Sequence, residues 1–262
     1  MSHVRRIKLY YLCLLIGVMC LLSFFFPSTT YATTSDIEAA LMEKNYEQVK
    51  ALASDLLKTT SEPNDRIQAE YYLGLSQLRL GQYVDARSAF QIVMSAAESG
   101  DLHDRAALGM VEGLYAPGFY KDALRQAEEL LRKSPRSSFL SLIYLKIARI
   151  HLKLTQWSLA KEYLQKIIKE FPQSLEATTA QNLMEEKEYF AVQVGSFLNK
   201  DKAMRLMEQL KAKGQYAYIV ETNTVDGKKF YRVRVGQMTY LSEAQTLEGH
   251  LSQLGYPTLI YP

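Results

Sequence analysis

Near the C-terminal end, polar and aromatic side chains are set between valines in Val192-Gln193-Val194 and Phe230-Tyr231-Arg232-Val233-Arg234-Val235. Successive side chains of a strand point to opposite faces. Val192, Val194, Val233 and Val235 therefore bury on one side, and Gln193, Phe230, Arg232 and Arg234 are forced onto the other. An amide, two guanidiniums and an aromatic ring on one face suit a sugar polymer. The ring lies against the C–H faces of sugar rings, while amide and guanidinium donors fork onto hydroxyl and N-acetyl oxygens. An arginine on a solvated strand is more often plain surface, but Gln193 between two valines is harder to explain by solubility. Tyr231 shares the valine face and is expected in the core.

The elements that position these residues come from a repeat with an offset of 41. Val192 to Gly195 aligns with Val233 to Gly236, Ala203 with Ala244, Leu206 with Leu247, Leu210 with Leu251, and Gly214 with Gly255. Each half reads as an alternating strand (190–196; 230–235), an amphipathic helix stopped by a glycine cap, and a closing strand (216–222; 256–261). Val225-Asp226-Gly227-Lys228 predicts the hairpin turn between the halves. The order βαββαβ predicts a four-stranded ferredoxin-like sheet with both helices on one face and the other face open.

This tail resembles the SPOR (sporulation-related repeat) domain family. The match is carried by Tyr189-Phe190-Ala191-Val192-Gln193-Val194-Gly195-Ser196-Phe197, by Phe230-Tyr231-Arg232-Val233-Arg234-Val235-Gly236, and by Ala203, Leu210 and Gly214. Gln237-Met238 departs from the proline and phenylalanine usual there. The resemblance implies binding to peptidoglycan glycan strands stripped of their stem peptides, typically at division septa. Ser196 and Phe197 join Gln193, Phe230, Arg232 and Arg234 as glycan-binding candidates on the strength of that resemblance.

Ahead of the tail runs a second repeat. Tyr46, Tyr83, Tyr120 and Trp157 are 37 residues apart, as are Val49, Ala86, Ala123 and Ala160, and Leu56, Val93, Leu130 and Ile167. Each copy reads as two amphipathic helices turning just before the aromatic, at Gly81-Gln82 and Gly118-Phe119. The small residue lets paired helices approach closely, and the aromatic fills the space under the turn. Pro135 and Pro172 end second helices. The segment resembles a tetratricopeptide-repeat array through Gly74, Tyr83, Ala86, Phe90, Tyr144, Ala148, Ala160 and Pro172. That resemblance implies a groove for a partner protein of the envelope or the division machinery.

At the other end, Arg5, Arg6 and Lys8 precede an apolar run from Tyr10 to Phe26, and Thr30-Tyr31-Ala32 supplies a small-residue cleavage site. This is the pattern of a secretory signal cut after Ala32; the run retained as an anchor is the alternative, and the sole route to membrane attachment. Cys13 and Cys20 are the only cysteines and fall in that segment, so the exported chain has no disulfide or thiolate chemistry. Residues 187–262 hold 10 basic and 7 acidic side chains, too mild an excess for a nucleic-acid partner. His103, His151 and His250 lie on separate elements, and acidic pairs such as Glu185-Glu186 read as solvated helix charge, so no catalytic constellation, metal site or cofactor is expected. The expectation is a periplasmic or cell-envelope α+β chain that is not an enzyme. It comprises a signal peptide (1–32), a helical repeat domain (33–186) and a SPOR-like domain (187–262). Its rivals are a repeat scaffold that uses the tail only as an address, and a wall hydrolase.

Overall fold

The computed structural model describes residues 32–224 and 227–262. The segment up to Tyr31 that is expected to be a signal, with both cysteines, and Val225-Asp226 of the expected hairpin turn lie outside the described residues. No described helix is long and apolar enough to cross a membrane.

Four antiparallel helix pairs stack in order: α1 (Thr34–Met42) with α2 (Tyr46–Thr59), α3 (Pro63–Arg79) with α4 (Tyr83–Ala96), α5 (Asp101–Tyr115) with α6 (Tyr120–Lys133), and α7 (Leu140–Lys153) with α8 (Trp157–Glu170). A further helix, α9 (Leu175–Met184), follows. The aromatic column opens each second helix. The small-residue column, Val49, Ala86, Ala123 and Ala160, is fully buried at 0% exposure in every copy. Such burial favours small side chains, and alanine recurs in three of the four copies with valine in the first.

The turns repeat as faithfully as the cores. The N–H groups of Asn45, Gln82, Phe119 and Gln156 donate to the carbonyls of Ala40, Gln77, Leu114 and His151 at 2.8–3.0 Å. Each of these is the six-to-one bond that closes a helix through a left-handed residue. That residue is Lys44 (φ 58°), Gly81 (76°), Gly118 (95°) or Thr155 (61°). The turn geometry is thus kept even where glycine is not.

The C-terminal domain runs β1 (Phe190–Phe197), α10 (Lys200–Ala212), β2 (Ala217–Asn223), β3 (Lys229–Met238), α11 (Leu241–Gln253) and β4 (Leu259–Tyr261). The sheet order is β2-β3-β1-β4, all neighbours antiparallel. Val192, Val194, Val233 and Val235 bury against Ala203 and Leu210 of α10 and Leu251 of α11, with Tyr231 beside them. The helix-side face is therefore as the alternation requires.

Candidate functional site

Strand register arranges the opposite face. Arg234 stands across from Gln193 and Tyr218, Arg232 from Ser196 and Val220, and Phe230 from Thr222. On β4, Leu259 pairs with Gln193 and Tyr261 with Ala191. One end of the face thus carries Arg234, Gln193 and Tyr261; the other carries Phe230, Arg232 and Ser196.

The first end is covered, contrary to the expectation of a fully open face. Arg234 is 1% exposed. Its two terminal nitrogens donate to Glu186 Oε2 and Oε1 at 2.6 and 2.9 Å, and its guanidinium lies 3.8 Å from the centre of the Tyr261 ring. Tyr261 in turn packs into the core shared by α7, α8 and α9. The Phe190 ring meets Trp157 at 5.4 Å and Lys153 Nζ donates to the Ile260 carbonyl at 3.1 Å; α9 also touches the other end, where Asn182 Nδ2 donates to the Asn223 carbonyl at 3.0 Å, one residue beyond the Thr222–Phe230 pair. The physical cause is the short link between α9 and β1. It lays the last repeat on the sheet, where a buried guanidinium finds the carboxylate it needs. Arg234 is a structural cation here, and Glu186 is its counter-ion rather than solvated helix charge. Gln193 is half-buried; its Oε1, like Arg234 Nε, is buried and has no hydrogen-bond partner among the described residues.

Phe197 also departs from expectation. It packs on the helix side, where a Cβ added at Gly195 would lie 2.6 Å from its ring and 2.9 Å from Leu206. Met238 does the same above Gly236, 2.6 Å from that added atom, with Leu247 at 2.8 Å. The methionine that breaks the sequence pattern therefore performs the packing role of its counterpart 41 residues earlier. The 41-residue offset itself pairs Phe197 with Met238 and so carried the signal.

At the other, partly open end, Ser196 is exposed and Phe230 and Arg232 are half-buried. Arg232 Nε donates to Thr222 Oγ1 at 2.8 Å, which holds the guanidinium stem in place. A cavity of about 730 Å³ lies between this sheet and the repeats. Arg232, Thr222 and Tyr261 line it from the sheet, Glu248 from α11, and Tyr120, Arg149, Lys153 and Asn182 from the repeat side. Burial pulls the Lys153 ammonium down to about 8; the Glu248 charge opposes that shift and the Arg149 charge adds to it. Burial also holds the Tyr115 and Tyr218 phenols well above the usual tyrosine range.

Comparison with known families agrees with this geometry. Residues 186–260 match the SPOR domain, and residues 68–96 and 143–174 match the tetratricopeptide repeat. The chain is a tetratricopeptide-repeat protein with a C-terminal SPOR domain. SPOR domains are a peptidoglycan-binding family and tetratricopeptide repeats a protein-interaction module, so the chain is of a binding kind and the SPOR domain implies a place in the cell envelope. No curated protein matches the sequence. Among solved structures, MamA (41-end) from Desulfovibrio magneticus RS-1 is 18% identical with a TM-score of 0.45, covering 56% of this chain and 78% of that one. YrrB, described as a TPR protein with an unusual peptide-binding site, is also 18% identical with a TM-score of 0.45, covering 56% of this chain and 71% of that one.

Proposed function

We propose that this protein holds denuded peptidoglycan glycan strands on the Phe230–Arg232–Ser196 end of its SPOR sheet while its repeats hold a partner protein. The reading includes export by a leader cleaved after Ala32, a periplasmic location and a role in division or wall remodelling. The observation that carries it is the placement of Phe230, Arg232 and Ser196 together at the end of the face that stays partly open, with Ser196 exposed and Arg232 lining the cavity between sheet and repeats. Phe230 offers an apolar plane to a sugar ring, Arg232 offers forked donors to ring substituents, and Ser196 offers a hydroxyl beside them. Gln193 borders the same surface and contributes its amide where the cover ends. Arg234 supports the face from beneath through Glu186 and does not touch the strand. The chain performs no chemistry on the wall in this account; its task is attachment.

Co-sedimentation of residues 33–262 with purified sacculi tests the reading. Binding is expected to rise when an amidase first strips the stem peptides. Equal binding to untreated and amidase-treated sacculi would contradict it.

A further inference from the structure

The cavity between the SPOR sheet and the repeats contains a charge imbalance that the sheet alone does not explain. Arg149 and Lys153 lie one turn apart on α7, on the same helix face, and both line the cavity together with Arg232 of the sheet. Against these three side-chain cations the lining offers one side-chain carboxylate, Glu248. Even with a carboxylate counted at Pro262, which also lines the cavity, the cations are in excess. Lys153 is mostly buried, and its one hydrogen bond among the described residues goes to the neutral carbonyl of Ile260. Arg149 is exposed and makes no hydrogen bond or ion pair among the described residues. A desolvated ammonium and an unpaired guanidinium facing one space favour an anion entering it.

Resting on the glycan reading above, we infer that the last repeat is part of the sugar-binding site, with Arg149 and Lys153 receiving the carboxylate of an acidic sugar whose ring is held by Arg232. The rest of the lining fits a saccharide better than an acidic peptide. Tyr120 offers an aromatic ring, while Asn182 and Thr222 offer an amide and a hydroxyl. The glycan then bridges the two domains, and the repeats set which sugars are accepted. A stem peptide amidated onto that carboxylate removes its charge and adds bulk, so the same arrangement selects denuded strands.

The test compares residues 33–262 as wild type, Arg149→Glu and Arg232→Ala, each titrated with amidase-denuded strands and with the same strands after carboxyl reduction. Arg149 is exposed, so its reversal leaves the fold intact; circular dichroism checks this. Arg149→Glu is expected to weaken binding of native strands about tenfold, with little further loss on carboxyl reduction. If Arg149→Glu binds as wild type while Arg232→Ala is weakened, the composite site is wrong and the sheet reading stands. If neither variant is weakened, both are wrong. Binding of a polyglutamate peptide that depends on Arg149, with unchanged glycan affinity, would overturn the inference in favour of an acidic protein partner.

Discussion

Lys153 brings a positive charge into a mostly buried position beside Arg149, with Glu248 the carboxylate that acts on it. Its ammonium is depressed from 10.5 to about 8. Both folded and unfolded chains hold the proton below pH 8, so the full penalty, about 3 kcal/mol, applies there. Between pH 8 and 10.5 the unfolded chain binds more protons, and stability rises with pH. Raising the pH from 7 to 9.5 is expected to add about 2 kcal/mol to the wild type in urea melts, and to add nothing comparable to Lys153→Met. A parallel rise in both would remove the assignment. The tyrosines held high by burial act only above pH 10 and leave this window clear. A second residue-scale case is Phe90, fully buried, whose ring faces Gly109 so closely that an added Cβ would lie 2.5–2.7 Å from three of its atoms. Gly109→Ala is expected to cost about 1–3 kcal/mol of stability, and an unchanged melting temperature would contradict the packing account. At this scale the alternation of valines with Gln193, Phe230, Arg232 and Arg234 placed side chains on the correct faces. It was blind to what would lie above Arg234, because a strand pattern carries no information about a neighbouring domain. Phe197, named on resemblance and not on alternation, lies on the helix face because the bulge between the Gln193–Arg234 and Gly195–Val233 pairings shifts the alternation by one residue.

The left-handed turn residue recurs at 44, 81, 118 and 155, and only two of the four are glycine. Thr155 adopts φ 61° with a β-branched side chain, a conformation that disfavours such residues. Thr155→Gly is therefore expected to stabilise the chain by about 0.5–1 kcal/mol, the relief of strain outweighing the added freedom of the unfolded chain. A loss of stability in thermal melts would show that the Thr155 hydroxyl, which donates to the Leu154 carbonyl at 2.6 Å, matters more than the strain. The two glycine turns were legible in the sequence as turns, and the 37-residue period carries the same geometry to Lys44 and Thr155. Strand ends were read less well. β4 begins at Leu259 rather than near Tyr256, because Tyr256 still closes the α11 cap through its N–H to the Leu251 carbonyl at 3.2 Å. Pro257 then has no N–H to give to a ladder. β3 runs on to Met238 because Phe190 provides a partner there.

Across the whole molecule, the contacts that join the repeats to the SPOR domain include a buried ion pair, the Trp157–Phe190 contact, the packing of Tyr261 and two hydrogen bonds. Glu186 and Arg234 are almost entirely removed from water, with side chains 14% and 1% exposed. Removing the carboxylate leaves a buried guanidinium unpaired, so Glu186→Ala is expected to cost about 3–5 kcal/mol. Faster amide exchange should follow in β4 and in the facing part of α9; unchanged exchange there would mean the two domains are not docked as described. The domain order and both repeats were readable from periodicity alone. The docking was not, since it depends on where a five-residue link sets α9 down, although the shortness of that link already limited the freedom of the tail. The central claim is that sugar is held at the partly open end of the sheet, and the dissociation constant of a denuded glycan strand for Phe230→Ala and Arg232→Ala, set beside the wild type, tests it most directly. The account predicts at least about a tenfold loss for each variant with the fold unchanged. Wild-type affinity in both would contradict it.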